Sequence, residues 1–326
     1  MKEICMQKAQ SSLGFTTEGG SKMKIGVIGI GNIAQKAYLP LYGQNRTQGE
    51  FIFATTNPQT KEMLATEYGF TQCVTSLEEL LEQGIEACLI HAATKVHSEY
   101  IRRCLAAGVH VFVDKPIAEE PTVVAELLQL AKEKNLLLMA GFNRRFAPLV
   151  APLKEQKDKH LLILQKHRIA DPQPLKFVVY DLFLHLVDTA VYLLDEEIEE
   201  LQARGVVKDG LLYQAHLTLH TKNTVATLHM DLTSGVNQER YQLISPEGNY
   251  ELKELTQLTQ VTQEAVVEHR GNDWATILHK RGFEPMLLAF LAALRGAQVD
   301  LRQDKVLKSH ELCSAFLQAI KDSPQG

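Results

Sequence analysis

Residues 24–34 read KIGVIGIGNIA, and this stretch decides the fold. A run of apolar residues leads directly into a G-x-G-x-x-A sequence formed by Gly29, Gly31 and Ala34. The two glycines allow a sharp turn and a close approach of the backbone to an anion, and the alanine allows tight packing of the next helix. A strand, this loop and a helix together predict a site for the pyrophosphate of a dinucleotide; a simple tight turn is the alternative. The predicted loop contacts are Gly29, Gly31, Asn32 and Ile33.

Short apolar runs alternate with amphipathic segments on both sides of this loop, from residue 23 to residue 141. Strands that are so uniformly apolar are buried on both faces, which is typical of a parallel sheet covered by helices on each side. We therefore predict an α/β fold that begins with a Rossmann domain, a doubly wound parallel sheet. The predicted strands are residues 24–30, 51–56, 87–93, 109–115 and 136–141, and the predicted helices begin near residues 33, 59, 77, 95 and 121.

The pattern changes after residue 143. One long apolar helix at 175–194 precedes a series of short strands, which predicts a C-terminal α/β domain with an open, mainly antiparallel sheet. The sequence SPEGNY at 245–250 predicts a hairpin turn, because Gly248 can adopt a positive φ. The predicted later strands are 161–168, 201–207, 211–220, 224–232, 241–244 and 250–255, and the closing helices are 284–295 and 304–320.

Three segments follow from this organisation. Residues 1–22 are predicted to be a flexible N-terminal extension, or a start placed too early, because Met23 directly precedes the first strand. Residues 23–142 form the predicted dinucleotide-binding Rossmann domain. Residues 143–326 form a predicted domain for substrate binding and oligomerisation, and an open sheet face there favours a homodimer or homotetramer.

Composition disfavours several classes of protein. The 34 Lys and Arg residues against 39 Asp and Glu give a net charge of −5, which argues against a nucleic-acid partner. The five cysteines form no CxxC pair, so we predict no disulfide framework and no metal site, and we favour the cytoplasm. The most apolar stretch, 177–194, carries Asp181, His185 and Asp188, and burial of these groups in lipid would be costly. We therefore predict no membrane span.

The end of the second predicted strand bears on the choice of cofactor. Thr55 and Thr56 stand where an NAD-binding domain usually carries an acidic residue for the adenosine ribose. No carboxylate is present there to repel a 2′-phosphate, yet no arginine is present to bind one, and only Lys61 is near. NAD and NADP both stay open, with a slight preference for NADP, and both threonines are predicted cofactor contacts.

Two further positions carry reactive groups. Lys115 follows an apolar strand and precedes Pro116, so it lies at a carboxyl strand end, where doubly wound sheets bind ligands. The alternative is an ordinary surface charge. Asp181, His185 and Asp188 are four and three residues apart and so share one face of the long helix. The alternatives there are a solvated polar stripe and a histidine buried in the core.

Together these features resemble the Gfo/Idh/MocA family of NAD(P)-dependent oxidoreductases from Met23 onward, and most of all its MviM-like branch. The lysine–proline motif of that family, usually Glu-Lys-Pro, appears as DKP at 114–116. Its loop after the fourth strand appears as HAATKVH at 91–97, with two alanines where Thr-Pro is common. GFNRRFAPL at 141–149 matches its connection into the second domain, and DLFLHLVD at 181–188 matches its Asp-x-x-x-His helix.

The resemblance implies an enzyme that transfers a hydride between a nicotinamide and a hydroxyl or carbonyl group of a sugar, a polyol or a related small molecule. It places Lys115 and His185 beside the nicotinamide, with Asp181 completing the catalytic group. Two alternatives of the same fold stay open: a regulator that senses the dinucleotide without turnover, and a glycosidase that uses NAD transiently. The cofactor contacts that the resemblance implies are Ala92, His97, Asp114 and Lys115.

The predicted chemistry pairs a base with a cation. His185 takes the hydroxyl proton while Lys115 holds the oxygen, although the two can exchange roles. Asp181 orients either the imidazole or a substrate hydroxyl. Arg144 and Arg145 either tie the two domains together or contact a ligand. The basic residues KHR at 166–168 either meet an acidic or phosphorylated substrate or form a solvated strand end.

Overall fold

The computed structural model describes residues 22–322, and these residues form two sheets with helices packed against them. The predicted N-terminal extension lies outside the described residues, except for Lys22. Within the described range, no helix is long and apolar enough to span a membrane. The predicted α/β class is confirmed.

Six parallel strands make up the first sheet: β1 (Lys24–Ile28), β2 (Glu50–Ala54), β3 (Cys73–Val74), β4 (Ala87–Ile90), β5 (His110–Val113) and β6 (Leu138–Ala140). Their order is β3-β2-β1-β4-β5-β6, so the chain changes direction across the sheet between β1 and β4. Doubly wound sheets bind ligands at the carboxyl edge beside such a point. The helices of this half are α1 (Leu39–Gln44), α2 (Pro58–Tyr68), α3 (Leu77–Glu82), α4 (Thr94–Ala106) and α5 (Pro121–Glu133), with a π-helical segment, Ala34–Tyr38, before α1.

The ends of these helices follow from local sequence. The Asn57 side chain caps α2 by accepting from two backbone amides, and Gly69 ends that helix with a φ of 69°. Ser76 Oγ accepts from the amide of Glu79 at the start of α3, which is the Ser-x-x-Glu pattern of a capping box. These caps place the loops after β2 and β3 at the carboxyl edge of the sheet.

A mixed sheet occupies the C-terminal half: β7 (Leu161–His167), β8 (Gln173–Pro174), β9 (Glu200–Lys208), β10 (Leu211–His220), β11 (Val225–Asp231), β12 (Gln238–Ser245), β13 (Gly248–Lys253), β14 (Gln257–Val261) and β15 (Val266–Arg270). Their order is β15-β14-β13-β12-β7-β11-β10-β8, and β9 also pairs with β10. Only β7 and β11 run parallel, so the predicted mainly antiparallel sheet is confirmed among the described strands. The predicted hairpin joins β12 to β13, where Gly248 has a φ of 142°.

Four strands have no counterpart in the sequence prediction. β3 and β8 are only two residues long, too short for any pattern to mark them. β14 and β15, with the sequences QLTQV and VVEHR, extend the second sheet at its edge, and β15 is exposed along its whole length. A strand without a buried face carries no apolar alternation, so hydrophobic periodicity does not detect it.

The long helix predicted at 175–194 is one continuous helical run with a change of register. α7 (Leu175–Phe177) leads into a π-helical segment, Val178–Phe183, which leads into α8 (Leu184–Leu193). π-helical turns inside α-helices occur frequently at functional sites. α8 packs on β7 and β11. The remaining helices are α6 (Ala151–Glu155), α9 (Ile277–Lys280), α10 (Phe283–Leu294) and α11 (Val306–Asp322), and short 3₁₀ turns lie at Asn143–Phe146 and Pro148–Val150.

The chain returns to the first sheet near its C-terminal end. α10 joins the same apolar cluster as β1 and β2, and the Phe290 ring lies 5.6 Å from the ring of Phe112 in β5. α11 packs against both α8 and α5. Residues beyond 143 therefore cover the first sheet as well as the second, and the two halves are joined along a broad contact.

Candidate active site

The two glycines in the loop after β1 have different roles. Gly29 has a φ of 92°, and a Cβ there would lie 2.2 Å from the backbone nitrogen of Ala92. Gly29 therefore allows this loop to pass close to the loop after β4. At Gly31, in contrast, a Cβ would meet nothing within 4 Å. Asn32 and Ile33 are exposed beside it, so the open backbone at Gly31 fits a pyrophosphate at the start of the helical segment.

A cavity of about 530 Å³ adjoins this loop at the carboxyl edge of the first sheet. Thr55 and Thr56, which directly follow β2, lie in its wall, and their contact with a cofactor stays a prediction. α4 also contributes to the wall, through Val96, Tyr100 and Arg103, which were not predicted as site residues although their helical spacing indicates a shared face. This cavity fits the adenosine half of a dinucleotide. The lining also includes residues from the ends of β1, β3 and α3: Ile28, Thr75, Ser76, Leu77 and Glu78.

His97 and Asp114 lie behind the cofactor loops and not on their open surface. His97 is 1% exposed, and its two ring nitrogens lie 2.8 Å from the carbonyl oxygens of Pro116 and Ala92. Asp114 accepts from the backbone amide of Lys115 at 3.0 Å. Burial raises the pKa of Asp114, and the Lys115 ammonium opposes that rise. These two residues therefore hold the loop after β4 and the loop after β5, which carries Lys115.

Lys115 and Asp181 meet across the two halves of the molecule. The Lys115 Nζ donates to Asp181 Oδ1 at 2.6 Å and to the backbone carbonyl oxygen of Asp181 at 2.7 Å. The lysine side chain is 10% exposed and the aspartate side chain is 45% exposed. Asp181 lies in the π-helical segment, and its Oδ1 and its backbone carbonyl oxygen both accept from the Lys115 ammonium. The structure thus pairs Asp181 with Lys115 and not with His185, its neighbour on the helix.

Arg144 is the residue that contacts the His185 ring. Its Nη1 lies 2.8 Å from His185 Nδ1. The same guanidinium makes two bonds to Glu239, at 2.5 and 2.9 Å, and both of those side chains are 5% exposed. Burial, and then the cations Arg144, Lys166 and Lys115, hold the pKa of His185 well below its usual range. The imidazole is therefore neutral, and it lies close enough to Lys115 to be influenced by its charge.

Asp188 and Arg145 are structural and lie outside this group. Arg145 donates to both carboxylate oxygens of Asp188, at 2.9 and 2.7 Å, and neither side chain is more than 2% exposed. Arg145 also donates to the carbonyl oxygens of Arg302 and Asp304, and Ser309 Oγ donates to Asp188. Of the three helix residues predicted on one face, Asp181 contacts Lys115 and His185 contacts Arg144. Asp188 instead ties the segment after residue 142 to α8 and α11.

Sequence models of two protein families match the chain. The oxidoreductase family Gfo/Idh/MocA, with an NAD-binding Rossmann fold, matches residues 23–142, and the YceM-like C-terminal domain matches residues 148–263. A Salmonella typhimurium protein named as the oxidoreductase YceM is 32% identical over 267 residues, which are 80% of this chain and 86% of that protein. The chain belongs to the Gfo/Idh/MocA family of oxidoreductases.

Other members of the Gfo/Idh/MocA family agree with this assignment. The crystal structure of the dehydrogenase MviM from Clostridium difficile superposes with a TM-score of 0.84 at 27% identity, covering 91% of this chain and 99% of that one. A myo-inositol 2-dehydrogenase from Thermotoga maritima is 28% identical over 202 residues, 57% of this chain and 59% of that protein. The predicted family and its MviM-like character are confirmed, and this Gfo/Idh/MocA protein is an NAD(P)-dependent oxidoreductase.

Proposed function

We propose that this enzyme transfers a hydride between a nicotinamide and a carbon that bears a hydroxyl or carbonyl group in a sugar, a polyol or a related small molecule. One observation carries the proposal: Lys115, at the carboxyl end of β5, bonds to Asp181 in the helical run that also carries His185. The myo-inositol 2-dehydrogenase among the relatives supports a polyol-like substrate. Bound along the carboxyl edge of the first sheet, a nicotinamide would supply or accept the hydride.

Lys115 handles the proton in this proposal. An ammonium has three N–H donors, and two of them are directed to the Asp181 oxygens. The third is available for a substrate oxygen. In carbonyl reduction Lys115 gives this proton to the oxygen as the hydride arrives at the carbon, and in alcohol oxidation the neutral amine takes the proton back. Asp181 holds the amine in place through both reactions.

His185 is held as a hydrogen-bond donor. A guanidinium has no acceptor, so the contact with Arg144 requires His185 Nδ1 to accept. In the neutral ring the proton is therefore on Nε2, and Nε2 can donate to a substrate oxygen but cannot take a proton from it. His185 thus stabilises the developing alkoxide, and Lys115 is the acid and base. Of the two assignments left open by the sequence, this geometry favours the one in which lysine is the base.

For the cofactor, NADP is the proposed partner in preference to NAD. The support is that no carboxylate stands at Thr55 or Thr56 to repel a 2′-phosphate, and that Lys61 lies near the start of α2. The cofactor contacts proposed from the sequence, Ala92 and the loop residues included, stand as part of this proposal. Titration of the protein with NADPH and NADH, followed by fluorescence, would show tighter binding of NADPH; tighter binding of NADH would contradict the choice.

We also propose that the protein forms a homo-oligomer and that it is located in the cytoplasm. The strands β7 and β11 alternate between fully buried and half-buried residues, so one face of the second sheet stays accessible in the single chain. On that face His216 and His229 contact each other through their Nδ1 atoms at 2.8 Å. Cys73, Cys88 and Cys104 are free thiols, which suits a reducing compartment. Light scattering on the purified protein would give the mass of a dimer or tetramer, and a monomer would contradict the oligomer.

A panel of sugars and polyols, assayed with NAD and NADP for the absorbance of the reduced nicotinamide, tests the function. Carbonyl compounds with NADPH test the reverse reaction. We expect net hydride transfer with at least one compound and its loss in Lys115→Ala. Binding of the dinucleotide without transfer to any compound would favour a regulator, and bond hydrolysis without net change of the cofactor would favour a glycosidase.

A further inference from the structure

Lys166 is a buried cation beside the reactive group. It lies in β7 on the same face as Leu162 and Leu164, and the residue is 5% exposed. Its direct partner across the strand pair is Glu239 of β12, the carboxylate that holds Arg144 against His185. Two residues, Glu239 and Arg144, therefore link the strand position of Lys166 to the imidazole of His185.

Glu239 makes no hydrogen bond to the Lys166 side chain. Both of its oxygens bond to Arg144, its Oε1 also accepts from the Tyr241 hydroxyl, and its Oε2 lies 3.4 Å from Arg281 Nη2. Among the described residues, no hydrogen bond or ion pair reaches the Lys166 ammonium. A buried cation without a partner is costly, and such groups are usually retained where a ligand supplies the missing charge.

Arg168 extends the same feature. It lies two residues after Lys166, just beyond the end of β7, where its backbone amide still donates to the carbonyl oxygen of Asp231 in β11. Its Nε is buried and has no hydrogen-bond partner in the described structure. Two neighbouring basic side chains, one only 5% exposed and one with a buried unsatisfied donor, thus lie at the end of β7 beside the site.

The charge balance around the site leads to the same conclusion. Its cations are Lys115, Arg144, Lys166, Arg168 and Arg281, and the acids that bond to them are Asp181 and Glu239. Burial, and then the charge of Arg144, lower the pKa of Lys166 well below its usual range; Glu239 opposes this shift, and Arg168 and Lys115 add to it. An anion placed between Lys166 and Arg168 would raise the pKa of Lys166 and accept hydrogen bonds from both side chains.

We propose that the substrate carries an anionic oxygen group, a carboxylate or a phosphate, which Lys166 and Arg168 bind while Lys115 and His185 act on its hydroxyl or carbonyl group. The proposal rests on the function proposed above and narrows its substrate class to acidic or phosphorylated sugars and polyols. Of the two interpretations of residues 166–168, the geometry favours the ligand-binding one for Lys166 and Arg168. His167 faces the other side of the strand, where its Nδ1 accepts from the amide of Asp231.

A binding experiment tests the subsite without any turnover. Inorganic phosphate and acetate are titrated by calorimetry into the full-length protein saturated with NADPH, and the comparison of the two anions separates the phosphate from the carboxylate. We expect one of them to bind the parent protein, and Lys166→Met and Arg168→Gln to weaken it by about 10- to 100-fold each. Arg204→Gln, which removes an exposed cation on β9, is the matched control and leaves the affinity unchanged. Absence of binding to the parent, or equal affinity in the variants, would overturn the proposal.

Two further measurements complete the test. Arg168→Gln lies at a strand end and Lys166→Arg keeps the charge, so these variants remain informative if Lys166→Met fails to fold; Lys166→Arg should retain most of the affinity. In the hydride-transfer assay, glucuronate and glucose 6-phosphate are compared with glucose. Lys166→Met and Arg168→Gln should raise KM for the anionic compound by about 10- to 100-fold and reduce the preference for that compound over glucose by a similar factor. Preference of the parent for glucose would refute the subsite alone, whereas the absence of hydride transfer to any compound would refute the proposed function alone.

Discussion

Arg144 Nη1 lies 2.8 Å from His185 Nδ1, and this contact fixes the position of the proton on the imidazole. The guanidinium is itself held by two bonds to Glu239 in a setting that is 5% exposed, so it cannot turn away without loss of a buried ion pair. The sequence leaves open whether His185 or Lys115 is the base, and the contact with Arg144 favours a neutral His185 that donates from Nε2. The proposed role of Lys115 as the acid and base rests on that relationship.

Substitution Arg144→Met should therefore change how activity depends on pH. Without the guanidinium, Nδ1 is free and a large part of the charge that depresses the His185 pKa is gone. We expect kcat to fall by about tenfold or more and the acid limb of the pH–rate profile to move to higher pH. Thermal unfolding of the same variant serves as the control for folding. An unchanged profile in a folded variant would show that Arg144 does not set the state of His185.

Substitution of Lys115 or His185 should lower kcat, whereas substitution in the loop after β1 should weaken cofactor binding. Lys115→Ala removes the proton donor and His185→Ala removes the oxygen ligand, and each should lower kcat by about 10²- to 10⁴-fold. Neither side chain is needed to hold the pyrophosphate, so the Kd of NADPH should change little. The measurement is steady-state kinetics beside a fluorescence titration. Normal turnover in both variants would remove the catalytic assignment.

The two loop glycines should give opposite results on substitution. Gly31→Val places a side chain into the open space beside the loop and should weaken NADPH binding by about 100-fold, with little change in thermal stability. Gly29→Val would force a Cβ to 2.2 Å from the Ala92 nitrogen at a φ of 92°, so it should destabilise the fold. Melting curves and NADPH titrations of both variants check this. A stable Gly29→Val protein would contradict the packing argument.

His91 should make stability depend on pH. Its Nε2 contacts the Tyr42 hydroxyl at 2.6 Å, its Nδ1 is buried without a partner among the described residues, and burial lowers its pKa to about 3. The unfolded chain binds a proton below about pH 6.5, whereas the folded chain does not until about pH 3, so stability falls as the pH drops through that window. His91 should account for about 2 kcal/mol of the loss between pH 6.5 and 5.

Denaturant unfolding at several pH values isolates this contribution. In His91→Gln, the fall in unfolding free energy between pH 6.5 and 5 should be about 2 kcal/mol smaller than in the wild type. His269→Gln, at an exposed position in β15, is the matched control and should leave the pH dependence as it is. Parallel curves for the wild type and His91→Gln would exclude His91 as a source.

The buried pair of Arg145 and Asp188 should be important for stability and not for the chemical step. Arg145→Met leaves Asp188 as an unpaired buried carboxylate and should cost about 3–5 kcal/mol of unfolding free energy. Ser309→Ala removes only a neutral hydrogen bond to the same carboxylate and should cost about 1 kcal/mol. Urea unfolding measures both. Equal effects of the two substitutions would contradict the importance of the ion pair.

The first sheet was predictable because its signal is local. Apolar strands, a glycine loop and amphipathic helices alternate along the chain, and the predicted strands end one to three residues beyond the observed ones, in the loops that hold Thr55, Ala92 and Lys115. β14 and β15 were not predictable, since an edge hairpin with little buried surface has no apolar alternation.

The sequence singled out Lys115, Asp181 and His185 together, but it did not predict the partner of each side chain. Asp181 and His185 are one helical turn apart in sequence, yet one bonds to Lys115 and the other to Arg144. Glu239 gave no functional signal, although its alternation with Tyr241 along β12 places it on the buried face.

The sequence by itself determined the family, the Rossmann domain and the identity of the groups available for chemistry, because glycine conformation, strand burial and helix spacing act over short stretches of chain. The tertiary structure alone decided which charges meet. Hydrogen bonds and ion pairs depend on distances of a few ångströms between residues far apart in sequence, and those distances exist only after the two sheets have packed together. For that reason the tautomer of His185, the acid that holds Lys115 and the unpaired cation at Lys166 became visible only in the folded chain.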